Sequence, residues 1–133
     1  NDEEVRGLSG ESNLVKGARV IQGMGPRILI IKRGESGVLM TRDAGFFAVP
    51  AMPLEVVLDP TGAGDTFAGG FMGYLALANE MTDTVVTRAI IAGSALASFA
   101  VEDFGLSRLV RLTTEELHER FTEFKRLTHF DAL

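Results

Sequence analysis

At 133 residues the chain has the size of one domain, and 46% apolar with 23% charged residues place it among globular proteins and exclude disordered or fibrous ones. Thirteen Lys and Arg against eighteen Asp and Glu leave a formal charge of −5, so no overall positive field exists to hold nucleic acid or an anionic membrane. The lack of cysteine excludes a disulfide framework and a thiolate metal site or nucleophile, which fits a reducing, cytoplasmic compartment.

In chain order, the acidic start Asn1-Asp2-Glu3-Glu4 lacks the basic region and apolar core of a signal peptide and begins a helical segment. It also lacks an initiator Met, and the expectation is a fragment whose beginning lies upstream. Ile28-Leu29-Ile30-Ile31, set between Gly25-Pro26 and Lys32-Arg33-Gly34, predicts a central strand buried on both faces. Residues 37–41 and 45–49, separated by Arg42-Asp43-Ala44, predict a hairpin, and residues 54–58 a further short extended piece.

From Gly62 the pattern turns helical. Residues 65–79 and 85–101 predict two mostly buried helices, and their most apolar parts, 67–78 and 89–101, are shorter than the roughly 18 to 20 residues that span a bilayer. Thr113-Thr114-Glu115-Glu116 predicts an N-cap with acidic residues in the first turn, followed by Leu117, Phe121 and Phe124 at helical spacing. Helix, then β, then helices predicts an α/β layered domain rather than a bundle or sandwich.

Chemistry concentrates in Asp59-Pro60-Thr61-Gly62-Ala63-Gly64-Asp65-Thr66-Phe67-Ala68-Gly69-Gly70-Phe71. A loop of tiny residues running into a helix exposes successive backbone N–H groups, and with the helix dipole these stabilise an anion such as a phosphoryl group. Asp65, in the first turn, stands beside that anion and can accept a proton from an attacking hydroxyl. The plainer alternative is a tight turn at residues 62–64 with Asp65 as a simple helix-start acid. His118 and His129 have no spacing suited to zinc and read as surface residues. No P-loop motif occurs, and Gly62-Ala63-Gly64 lacks the third glycine of a dinucleotide fingerprint.

Over its whole length the 59–71 string resembles the C-terminal signature of the ribokinase-like, or PfkB, carbohydrate kinases. The resemblance implies the ribokinase-like layered α/β/α fold, of which residues 1–133 would be the C-terminal ATP-binding and catalytic portion, without the N-terminal substrate-binding portion and β lid. It implies that Asp65 is the catalytic base and that Gly62, Ala63 and Gly64 form the anion hole. Asn1 and Glu4 match the family's Asn-Xaa-Xaa-Glu motif, which positions Mg2+ through water. Lys32, Gly34 and Gly37 stand where relatives have Thr-Xaa-Gly-Xaa-Xaa-Gly against the nucleotide, with Lys in place of Thr; the alternative is a hairpin turn with solvated basic residues. Residues 92–105 match the small-residue helix and loop beside the adenine, which puts Ser94 near the base. Carbonyls at Asp59, Thr61, Ala100, Asp103 and Gly105 are then candidates for a monovalent cation such as K+.

The function so implied is ATP-dependent phosphoryl transfer to a hydroxyl of a sugar or nucleoside by a cytoplasmic enzyme, homodimeric when complete and with no nucleic acid or membrane partner. The alternative is a non-catalytic nucleotide-binding or interaction module, a pseudokinase remnant. Relatives read the acceptor mainly with N-terminal residues, so ribose, fructose, a ketodeoxy acid and a nucleoside all stay open, and the 133 residues alone are expected to be inactive.

Overall fold

Two asparagines, whose side-chain oxygens can accept from first-turn amides, open the first two helices. Asn1 caps α1 (Asp2–Ser9) and Asn13 caps α2 (Leu14–Gly23), accepting from the N–H groups of Glu4 and Lys16 at 2.9 and 3.0 Å. The computed structural model describes residues 1–43 and 45–132, and the chain divides into two units, Asn1–Pro50 and Ala51–Leu133.

In the first unit, β1 (Leu29–Lys32), β2 (Val38–Arg42) and β3 (Gly45–Val49) form an antiparallel sheet in the order β1-β2-β3. Ile31 pairs with Leu39 and Met40 with Phe47, which fixes the register. Val5 of α1, Ala18 and Ile21 of α2 and Ile31 of β1 make a buried cluster, with Leu14, Leu29 and Leu39 packed around it. The 37–41 and 45–49 hairpin forms as expected, although Ala44 lies outside the described residues. The expected burial of this strand on both faces is not seen within the described residues of this unit. Among the described residues β1 pairs only with β2, and only Ile31 of its four residues is buried. The short turn between β1 and β2 makes their pairing antiparallel.

The second unit is helical: α3 (Ala63–Ala78), α4 (Asp83–Ala100) and α5 (Thr114–Thr128). Thr82 caps α4 by accepting from the Val85 N–H at 3.3 Å, and Thr113 with Glu116 forms a capping box on α5. Close packing of α3 on α4 depends on small residues. A Cβ on Gly93 would lie 2.6 Å from the Phe67 carbonyl oxygen, and one on Gly70 would lie 3.0 Å from the Gly93 Cα. Val86, Ala89, Ile90, Ala95 and Phe99 of α4 and Phe124 of α5 are buried. At 18 residues and a mean hydropathy of 1.2, α4 just reaches the length of a membrane span, but half its positions are buried in this unit, as in a core helix.

Two further expectations are corrected. Only Phe67 of α3 is buried, while Met72 and Leu77 are 60% and 90% exposed, because within this unit α3 has a close neighbour only in α4. Residues 54–58 join no ladder, since the chain bends at Glu55 and Leu58 and Val56, Val57 and Leu58 are exposed.

Candidate active site

Gly62, with φ of +80°, is the N-cap of α3; that left-handed backbone suits glycine, which has no side chain of its own to cap the first turn. The turn is set from upstream. The Asp59 carboxylate accepts from the Thr61 N–H at 2.9 Å, the Pro60 carbonyl accepts from Ala63 N–H at 3.3 Å, and the Gly62 carbonyl accepts from Thr66 N–H at 2.8 Å to start the helix. Hydrogen bonds from the hydroxyl and backbone N–H of Thr61 hold the Asp59 carboxyl below its ordinary value of 3.8. Asp65 is exposed in the first turn, among Ala63, Gly64 and Thr66. A helix start built on a left-handed glycine, with its dipole directed at the loop, suits an anion with a carboxylate at its edge.

The two loops singled out for a monovalent cation meet. The Val101 carbonyl, one residue past α4, accepts from the N–H groups of Leu58 and Asp59 at 2.9 and 3.4 Å, which ties the approach to the anion loop to the 100–105 segment. In that segment Gly105 has φ of +57°, and the Asp103 carboxylate accepts from the Phe104 N–H at 2.8 Å and from Arg111 at 2.6 Å. Ala100 is buried at the end of α4. Ser94, next to the Gly93 that faces Phe67, has a buried hydroxyl with no protein partner, a group left over for a ligand to satisfy.

In the first unit Lys32 ends β1 and leads into a turn closed by Gly37 N–H to the Gly34 carbonyl at 3.1 Å and Arg33 N–H to the Gly37 carbonyl at 2.8 Å. Asn1 and Glu4 stand together as a capping box, the Asn1 side chain accepting from the Glu4 N–H at 2.9 Å and the Glu4 carboxylate facing the Asn1 backbone nitrogen. An amide oxygen and a carboxylate in one turn suit a hard cation such as Mg2+, which keeps most of its waters. His118 and His129 are exposed as expected, and among the described residues no cluster of three or more His, Asp and Glu could hold a metal.

The carbohydrate kinase profile of the pfkB family matches residues 1–111. The chain belongs to the pfkB family of carbohydrate kinases. It is 43% identical over 77 residues to a cytidine kinase of Thermococcus kodakarensis, covering 56% of this chain and 27% of that one. To the aminoimidazole riboside kinase of Salmonella typhimurium it is 34% identical over 99 residues, 74% of this chain and 31% of that enzyme. The crystal structure of aminoimidazole riboside kinase from Salmonella enterica, complexed with aminoimidazole riboside and an ATP analog, matches with a TM-score of 0.79 at 30% identity, covering 90% of this chain and 40% of that one. Ribokinase from Thermotoga maritima matches with a TM-score of 0.74 at 28% identity, over 92% and 40% of the two chains. The fold is therefore the ribokinase-like α/β fold, and the chain spans between a quarter and a third of the length of these sequence relatives.

Sequence reasoning missed a group outside these motifs. Glu102 bonds Arg108 at 3.0 Å and Arg120 at 2.8 Å, and the two guanidinium carbons lie 4.7 and 3.9 Å from the Phe99 ring centroid. Glu102 and Arg120 are 18 positions apart, beyond the reach of any local pattern.

Proposed function

We propose that the full-length protein is an ATP-dependent kinase that phosphorylates a hydroxyl of a sugar or nucleoside. The observation that carries this reading is the glycine turn at the start of α3, with Gly62 in the left-handed region and Asp65 exposed in the first turn, in a chain of the pfkB family. Relatives that act on cytidine and aminoimidazole riboside favour a nucleoside, and those that act on fructose keep a sugar open.

In this mechanism Asp65 takes the proton of the acceptor hydroxyl as its oxygen bonds to the γ-phosphorus, and the bond to the β–γ bridging oxygen breaks to leave ADP. The backbone amides of residues 62–65 stabilise the charge on the transferring group, an interaction strengthened where water is excluded. Lys32, Gly34 and Gly37 border the nucleotide, and the buried Ser94 hydroxyl supplies a polar contact near the base. Asn1 and Glu4 orient Mg2+ through water, and the ion, when bound, neutralises phosphate charge. Carbonyls of Asp59, Thr61, Ala100, Asp103 and Gly105 would hold a monovalent cation such as K+, which would add positive charge near the phosphates.

The test is phosphate transfer from γ-labelled ATP by the full-length protein to cytidine, aminoimidazole riboside, ribose and fructose, with and without K+. Labelled product from at least one acceptor is expected. ATP binding without transfer to any of them would favour the non-catalytic nucleotide-binding module.

A further inference from the structure

We infer that Arg120 of α5, through Glu102, is a positioning residue for the anion-hole loop. The family profile ends at residue 111, so Arg120 lies outside the residues it matches. The inference rests on the kinase reading for its catalytic half and on geometry alone for its mechanical half.

The chain of contacts is short. Arg120 donates to Glu102 at 2.8 Å and to the Ser98 hydroxyl at 2.5 Å, and its guanidinium carbon lies 3.9 Å from the Phe99 ring centroid. The other Glu102 oxygen accepts from Arg108 at 3.0 Å, and Arg108 also bonds Glu116, the capping-box residue of α5, at 2.7 Å. Glu102 is therefore held by two arginines, one from α5 and one from the loop, and its neighbour Val101 offers the carbonyl that accepts from Leu58 and Asp59. Asp59 in turn fixes Thr61, the residue before Gly62. Any shift of Glu102 is carried through one peptide unit to the start of the catalytic turn.

Enclosure makes this group rigid. The side chains of Arg120, Arg108 and Glu102 are only 13%, 17% and 25% exposed, and removing one partner of such a set leaves a charge that water cannot fully compensate. Arginine is required because a planar fork can bond Glu102 and Ser98 while stacking on Phe99; a lysine would keep the charge and lose that arrangement. The outer pair of Arg120 with Glu123, at 3.1 Å, has a half-exposed carboxylate and takes no part in the relay.

The experiment compares Arg120→Lys, Glu102→Gln and Glu123→Gln in the full-length protein by amide hydrogen exchange and by steady-state kinetics, at a temperature where each variant is fully folded. Arg120→Lys and Glu102→Gln should speed exchange at the Leu58 and Asp59 amides about tenfold, leave the interior of α3 unchanged, and lower kcat about three- to thirtyfold with the KM for ATP moving less than about twofold. Glu123→Gln should change none of these. A role limited to stability would lower the unfolding temperature without changing exchange at residues 58–59 or kcat of the folded enzyme, and that result overturns the inference. So does faster exchange with kcat untouched. If Glu102→Gln does not fold, Arg120→Lys alone decides. Failure of the kinase reading is told apart, because exchange is read without substrate: coupled amides in a protein that transfers no phosphate would keep the mechanical link and discard the catalytic one.

Discussion

Asp59 orders the turn that leads into α3, its carboxylate accepting from the Thr61 N–H at 2.9 Å. Its carboxyl is held below 3.8 by Thr61, so by linkage the folded state gains from this bond above the unfolded value and loses the gain as pH falls through the folded one. The Thr61 amide resonance should therefore titrate with a midpoint below 3.8, and a midpoint at or above that value would remove the turn from the account. Gly93 is a second such residue. A methyl there would sit 2.9 Å from the Phe67 ring as well as against its carbonyl, so Gly93→Ala should destabilise the protein by about 1–3 kcal/mol in denaturant unfolding, the range for an overpacked contact.

At the scale of elements, α5 depends on its start. Thr113→Ala removes a hydroxyl that accepts from the Glu116 N–H at 3.2 Å, and should lower stability by roughly 0.5–2 kcal/mol in thermal unfolding, whereas Thr113→Ser should keep most of it. This cap was legible in the sequence, as were the hairpin and the three C-terminal helices, because caps, turn residues and apolar spacing act within a few residues. Residues 54–58 look like a strand by composition, but a strand forms only where a partner offers its edge. The candidate site divides in the same way: the turn and helix start at residues 59–65 form one continuous string and could be read, while the Val101 carbonyl and the Glu102–Arg120 bond join distant positions and carry no local mark.

For the whole molecule, the apolar surface of the second unit bears on what the 133 residues can do alone. Met72, Leu77, Phe104, Leu106 and Val110 are each 60% or more exposed, and apolar surface of this kind tends to associate when it is contiguous. Sedimentation of the isolated chain should show oligomers, and phosphate transfer by it should be absent, since holding the acceptor in place supplies a large part of the rate. A monomer that phosphorylates a sugar unaided would contradict both expectations. The most direct test of the central claim is Asp65→Asn in the full-length protein, which keeps the shape of the side chain and removes its basicity. The account predicts that kcat falls by roughly 10²- to 10⁴-fold while ATP still binds; turnover near that of the unaltered protein would mean that Asp65 is not the base.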